Sequence, residues 1–199
     1  MRYLDRANHV LHLVSSYTVR VLREAGARVK EPAGGFYTFP DFTHCEGIMG
    51  PARQKYQRET RGSPEDMTSA WLMEDILKQT GVAMLPGTAF GRLPEEPSAR
   101  LAFVDFDGNR AMRAVTKKGT EGPESRVPDE GEDDLLGKYS STPSQYLDAP
   151  DHPVGQEQED FLKELAPSVY EGMQKLAHYL RTGEGLGQGQ GQEGVSADE

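Results

Sequence analysis

The chain has few of the residues that build disulfides, membrane spans or cationic surfaces. Its 199 residues include one cysteine, Cys45, so no disulfide forms within the chain; this fits a reducing compartment, and we expect a cytoplasmic protein. No apolar run approaches the roughly 20 residues that cross a bilayer, and the first residues, MRYLDRANHV, lack the apolar stretch of a signal peptide. A formal charge of −10 disfavours nucleic acids and anionic membranes as partners.

Apolar residues are also scarcer than in an ordinary globular chain. The hydrophobic fraction is 36%, and the chain carries 22 glycines and 13 prolines. Such a composition supports one modest core with substantial disorder around it. The acidic stretch 117–155 and the Gly/Gln-rich tail 183–199 are expected to be disordered.

Helices are predicted where apolar residues recur at the three-and-four spacing of one helix face. The first covers 3–25, the second begins at Ser63–Asp66, and the last covers 157–181. Pro167 lies inside the last helix and should kink it or split it in two. The polar segment 43–62 is predicted to be a loop.

Short strands are predicted between these helices. Two of them lie in 29–42, separated by a bend at Gly34 and Gly35, and two more cover 82–85 and 100–106. We therefore predict an α+β fold in which helices pack on one face of a small, mostly antiparallel sheet. The predicted division of the chain is 1–116, 117–155, 156–182 and 183–199.

Three segments appear in a suggestive order: PAGGFYTFP at 32–40, GVAMLPGTAFG at 81–91 and ARLAFV at 99–104. Together they resemble the C-terminal small domain of class I/II aminotransferases, the pyridoxal-phosphate enzymes of fold type I. The resemblance covers about residues 3–108, and the last helix would complete the domain. It implies the α+β fold predicted above and a role in amino-acid transamination.

The resemblance gives Arg100 a specific role. In the family, the arginine at the start of the corresponding strand holds the substrate α-carboxylate, and a planar guanidinium suits that task because it donates two parallel hydrogen bonds. The resemblance also implies that Gly35 and Phe36 contribute to the substrate site and that Gly87 and Phe90 shape the loop before Arg100. The alternative for Arg100 is an ion pair with Glu95 or Glu96.

Most of the catalytic machinery of that family is not found in the chain. Transamination needs a lysine that forms a Schiff base with pyridoxal phosphate. The resemblance implies that this lysine belongs to a large domain upstream of the small domain, and that the small domain begins at about Met1. We therefore expect no catalytic residue and no metal ligand here, and no pyridoxal phosphate bound by this chain alone. Expected partners are an amino acid or 2-oxo acid, and a large-domain chain or a second copy.

Two other functions remain open. The chain could be a non-catalytic interaction module derived from such a small domain, because its sheet would expose an apolar surface. The segment from Leu101 to Gly108 also matches the apolar strand and DxDG motif of haloacid-dehalogenase-like phosphatases, with Asp105 as nucleophile and Asp107 as acid/base. Asn109 replaces the usual threonine and counts against this reading. His44 and Cys45 are expected to be structural, because zinc sites need three or four ligands.

Overall fold

The computed structural model describes residues 3–116, 138–139 and 156–185. The acidic stretch 117–155, apart from residues 138–139, and the tail beyond residue 185 therefore lie outside the described residues. The described part contains six α-helices and three short strands: α1 (Tyr3–Glu24), β1 (Tyr37–Thr38), α2 (Glu46–Thr60), α3 (Ser69–Thr80), β2 (Leu85–Pro86), β3 (Ala99–Ala102), α4 (Gly108–Ala114), α5 (Gln156–Leu165) and α6 (Pro167–Thr182). In this part, no helix is long and apolar enough to cross a membrane.

The strands form one small antiparallel sheet in the order β1-β3-β2. Strand β1 pairs Tyr37 with Ala102, whereas β2 pairs Leu85 with Arg100. The predicted α+β class and the small antiparallel sheet are confirmed. The strands are fewer and shorter than predicted. Of the two expected within 29–42, only β1 forms in the described residues, and β3 ends at Ala102 rather than at residue 106.

The contacts divide the chain into two compact units. Unit 1 comprises Met1–Val21, Val29–Thr38 and Leu101–Glu171, and unit 2 comprises Leu22–Arg28, Phe39–Arg100 and Gly172–Glu199. This division follows spatial contacts, whereas the four segments predicted above follow composition. The predicted segments stay a prediction.

Unit 1 is built on the apolar face of α1. Val14 and Tyr17 are fully buried there, and the Tyr17 ring stacks on Tyr170 with 5.7 Å between centroids. The amide of Gln158 donates to the main-chain oxygen of Leu13 and, at 2.9 Å, to the hydroxyl of Ser16. The apolar periodicity of the first predicted helix therefore does produce a buried helix face.

Unit 2 is built from α2, α3 and the second half of α6. Its buried apolar side chains include Ile48, Met49, Leu72, Ile76, Leu176 and Leu180. Helices α2 and α6 approach so closely that a Cβ on Gly47 would lie 2.1 Å from the carbonyl oxygen of Arg181. Only glycine fits there, because any larger residue would force the two backbones apart.

The loop predicted for 43–62 is wrong, since α2 occupies most of that segment. Apolar side chains are few there, but Ile48, Met49 and Ala52 are all buried. Burial against the rest of unit 2 outweighs the weak local pattern and the helix-breaking tendency of Pro51. The helix ends at Thr60. The next residue, Arg61, caps it: it takes the left-handed conformation with φ 58 and donates its N–H to the main-chain oxygen of Gln57.

Two other helix predictions need refinement. The segment Ser63–Asp66 does not begin the second helix; it forms a separate 3₁₀ turn, and α3 begins at Ser69, where the Thr68 hydroxyl accepts from the main-chain N–H of Trp71. The short helix α4 was not predicted. The split at Pro167 is confirmed, because α5 ends at Leu165 and α6 begins at Pro167.

Candidate carboxylate-binding site

The turn between β2 and β3 positions Arg100 within unit 2. Residues Gly87–Phe90 form one 3₁₀ turn, and the Gly87 N–H donates to the Ser98 carbonyl oxygen at 2.7 Å. A Cβ on Gly87 would lie 2.3 Å from the Ser98 hydroxyl oxygen and 3.1 Å from its carbonyl oxygen. Glycine at this position therefore allows the turn to lie close against β3.

The guanidinium of Arg100 lies over the ring of Phe90. Its central carbon is 4.7 Å from the ring centroid, within the range of a cation–π contact. Phe39 packs against the same ring in a T-shaped arrangement, 5.7 Å between centroids, and Phe90 is 42% exposed. A planar guanidinium can donate two parallel hydrogen bonds to a carboxylate.

One of the acids considered as an internal partner for Arg100 has another partner. The Arg92 Nε is 3.1 Å from a carboxylate oxygen of Glu96, four residues along the same loop. The Arg92 side chain is 53% exposed and that of Glu96 is 37% exposed. The Arg92–Glu96 pair therefore lies on the surface of the loop.

Gly35 and Phe36 lie in unit 1, whereas Arg100, Gly87 and Phe90 lie in unit 2. Gly35 has φ 80, which disfavours other residues, but a Cβ there would meet no atom within 4 Å. Its glycine is therefore needed for backbone conformation rather than for close approach. The Phe36 ring is 53% exposed and its carbonyl oxygen accepts from the Phe103 N–H at 3.2 Å.

Most of the described lysines are held in ion pairs, which does not suit a Schiff base with pyridoxal phosphate. A Schiff base requires a neutral lysine amine in a pocket that also holds the cofactor's phosphate. Four described lysines instead pair with carboxylates: Lys55 with Asp75, Lys78 with Glu74, Lys138 with Glu164 and Lys163 with Glu159. We assign no reaction step through the cofactor, and the expectation that this chain alone does not bind it stays a prediction.

A buried carboxylate in unit 2 was not predicted from the sequence. Asp75 on α3 is 3% exposed; it accepts from the Lys55 ammonium on α2 and, at 2.5 Å, from the Tyr179 hydroxyl on α6. Burial, together with the hydrogen bond and negative charge of Asp75, raises the pKa of Tyr179. The sequence does offer one indication of this buried acid: Asp75 lies between Met73 and Ile76, two apolar residues that the structure shows to be buried.

The adjacent His44 and Cys45 do not form a reactive pair. The Cys45 thiol is buried, and burial together with the charge of Asp41 raises its pKa to about 12, so it stays protonated and is a poor nucleophile. His44 is exposed. Within the described ranges, no group of three or more His, Cys, Asp or Glu side chains is arranged to hold a metal ion.

Asp107 has a structural role in unit 1. Its carboxylate accepts from the main-chain N–H groups of Asn109 at 2.9 Å and Arg110 at 3.2 Å, and so caps the start of α4. Asp105 is exposed. The cap accounts for the acid at position 107 without phosphatase chemistry.

Comparison with known proteins adds no relative that would assign the site. No protein-family model, curated protein or solved structure matches the chain.

Proposed function

We propose that the chain is an aminotransferase-like small domain whose Arg100 binds the α-carboxylate of an amino acid or 2-oxo acid. The observation that carries the proposal is the position of the Arg100 guanidinium over the Phe90 ring. Arg100 lies on the strand that follows the Gly87–Phe90 turn. The motif order in the sequence gives this arrangement its functional interpretation. The chain would be one part of a transaminase, and a large domain would supply the lysine and the cofactor pocket.

Arg100, Phe90 and Gly87 each have a distinct role in this proposal. Arg100 neutralises the carboxylate and fixes its orientation through two parallel hydrogen bonds. Phe90 holds the guanidinium by a contact worth about 0.5–1 kcal/mol at an exposed site. Gly87 lets the turn lie against β3, so that the ring and the guanidinium meet.

The proposal is tested by measuring binding of 2-oxoglutarate and pyruvate to the full chain by isothermal titration calorimetry or ligand-observed NMR. Arg100→Ala should abolish binding, and Arg100→Lys should weaken it about tenfold, because a hydrogen bond to a charged group contributes about 1.5–3 kcal/mol. Phe90→Leu should weaken binding two- to fivefold through loss of the cation–π contact.

Arg92→Ala is the matched control, since it removes a guanidinium from the same loop. Its binding should equal that of the original chain. Equal binding by the Arg100→Ala and original chains, or no binding by the original chain to either acid, would refute the proposed role of Arg100.

A second candidate, a non-catalytic interaction module, is favoured by exposed apolar side chains in and next to strands β1 and β3 of unit 1. Phe36, Tyr37 and Val104 are 53%, 45% and 40% exposed there, and Tyr37 lies opposite the exposed Ala102. Exposed apolar side chains grouped in this way are typical of protein contact surfaces. Self-association measured by light scattering, and lost on changing Tyr37 and Val104 to Ser, would support this function; a monomer at all concentrations would oppose a second copy as the partner.

A further inference from the structure

Lys138 and Tyr139 are two described residues between the stretches 117–137 and 140–155, which lie outside the described residues. Tyr139 is nevertheless only 4% exposed. A tyrosine from a polar, acidic segment is thus as buried as the residues of the helical core.

The Tyr139 side chain and main chain both meet unit 1. Its ring packs T-shaped against Phe161 on α5, 5.2 Å between centroids, and its hydroxyl donates to Glu164 at 2.7 Å. Its main-chain N–H donates to the carbonyl oxygen of Ala114 at 3.0 Å. That carbonyl belongs to the last turn of α4, where helix oxygens have no partner within their own helix.

Lys138 adds a charge contact to the same carboxylate. Its ammonium is 2.7 Å from the Glu164 oxygen that also accepts from Tyr139. Burial acts to raise the pKa of Glu164, but the hydrogen bonds from Lys138 and Tyr139, with the positive charges of Lys138 and Arg110, outweigh it and lower that pKa. The carboxylate is therefore ionised at neutral pH and paired with a basic residue.

We propose that Ala114, Phe161 and Glu164 form a docking pocket for a short peptide in which a basic residue precedes a tyrosine, and that Lys138–Tyr139 of the same chain is its resident ligand. An aromatic anchor, a main-chain hydrogen bond and a charge pair are the components by which folded domains recognise extended peptides. Here two consecutive residues supply all three. The pocket does not involve Arg100, so this inference is independent of the proposed function.

The inference predicts that the pocket also accepts the ligand as a separate peptide once it is emptied. A fluorescent peptide covering residues 134–143, DLLGKYSSTP, is titrated against the full chain carrying Tyr139→Ala, with fluorescence anisotropy as the readout. The peptide should bind this variant at least tenfold more tightly than the original chain. In the original chain the tethered ligand competes at a high effective concentration.

Two further measurements separate docking from non-specific binding. Adding Glu164→Gln to the Tyr139→Ala chain should weaken peptide binding about tenfold, because the charge on the shared carboxylate is lost. A peptide with alanine in place of its tyrosine should not bind. If circular dichroism shows that the Tyr139→Ala chain is unfolded, a chain with Lys138→Ala and Tyr139→Phe, which keeps the buried ring, replaces it and should bind the peptide more tightly than the original chain.

Equal binding of the peptide to the emptied and original chains would overturn the proposal. The proposal would also be overturned if the peptide did not bind a folded, emptied chain. The same holds if binding were unchanged by replacing the tyrosine of the peptide or Glu164 of the pocket.

Discussion

The two units each contain a carboxylate that accepts from one lysine and one tyrosine, but in very different surroundings. In unit 2, Asp75 is 3% exposed and joins Lys55 and Tyr179, which come from two other helices. In unit 1, the Glu164 side chain is 29% exposed and joins the adjacent residues Lys138 and Tyr139. A carboxylate, a lysine and a tyrosine thus form a buried cluster that links three helices in unit 2, which we call the brace. In unit 1 they form a partly exposed cluster that holds residues 138–139 against α5, which we call the anchor.

The difference teaches that burial, rather than the identity of the partners, sets the energetic role of such a cluster. When one member of a buried cluster is removed, the remaining polar groups lose their hydrogen bonds, and water cannot reach them to replace those bonds. At Glu164 water can replace part of each contact, so the cluster stabilises the fold less and is easier to open. The four experiments below test this comparison, from the largest expected effect to the smallest.

Asp75→Ala should have the largest effect, a loss of about 3–5 kcal/mol in the free energy of unfolding, because breaking a buried ion pair leaves its partners uncompensated. Urea unfolding followed by circular dichroism measures it. The combined change Asp75→Leu, Lys55→Met and Tyr179→Phe removes all three polar partners and should recover most of the loss. A loss below about 1 kcal/mol for Asp75→Ala would contradict the role of the cluster as a brace.

Gly47→Ala tests the close approach of α2 to α6, the two helices that carry Lys55 and Tyr179. The new Cβ would fall 2.1 Å from the Arg181 oxygen, so overpacking should cost about 1–3 kcal/mol. Gly172→Ala in α6 is the matched control, since the nearest atom to its Cβ would be a Val82 methyl carbon at 3.5 Å, an ordinary van der Waals distance. It should stabilise the chain by about 0.5–1 kcal/mol in the same unfolding assay. Equal effects at the two glycines would rule out the tight helix contact.

Glu164→Ala should cost about 1 kcal/mol, less than the change at Asp75, because the Glu164 side chain is partly exposed and solvent can replace its contacts. Differential scanning calorimetry provides the measurement. Glu171→Ala, an exposed acid on α6, should change stability by less than about 0.5 kcal/mol. A cost at Glu164 as large as that at Asp75 would remove the distinction between anchor and brace.

The smallest expected effects are opposite changes in the pH dependence of stability. The pKa of Glu164 is lowered, so its contribution is present at neutral pH and is lost as the pH falls through that lowered value. The pKa of Tyr179 is raised, so its contribution is complete below about pH 10, the usual tyrosine pKa, and is lost as the pH rises further. Cys45, with its pKa raised to about 12, loses its contribution in the same direction from about pH 8.5 upward.

Unfolding midpoints measured from pH 3 to pH 11 check both directions. Glu164→Gln should flatten the acid side alone, whereas Tyr179→Phe should flatten the alkaline side alone. Cys45→Ala separates the contribution of the thiol from that of the phenol. An unchanged alkaline slope in the chain that carries both Tyr179→Phe and Cys45→Ala would contradict the assignment of that slope to these two groups.

The candidate site was only partly predictable from the sequence. The motif order identified Gly87, Phe90 and Arg100, and the structure brings these three together around one turn. It places Gly35 and Phe36 in the other unit. Asp75 was missed because its partner Tyr179 is distant in the sequence, and Tyr139 was missed because it lies in an acidic segment without periodicity.

The sequence by itself determined the features that depend on neighbouring residues: the apolar face of α1, the break at Pro167 and the α+β composition of the fold. These follow from local periodicity and from the missing N–H of proline, which act over a few residues. Only the tertiary structure decided that residues 46–60 form a helix, that Asp75 meets Tyr179 and that Tyr139 is buried. Each of these depends on burial against groups far along the chain, and no local pattern encodes that free energy.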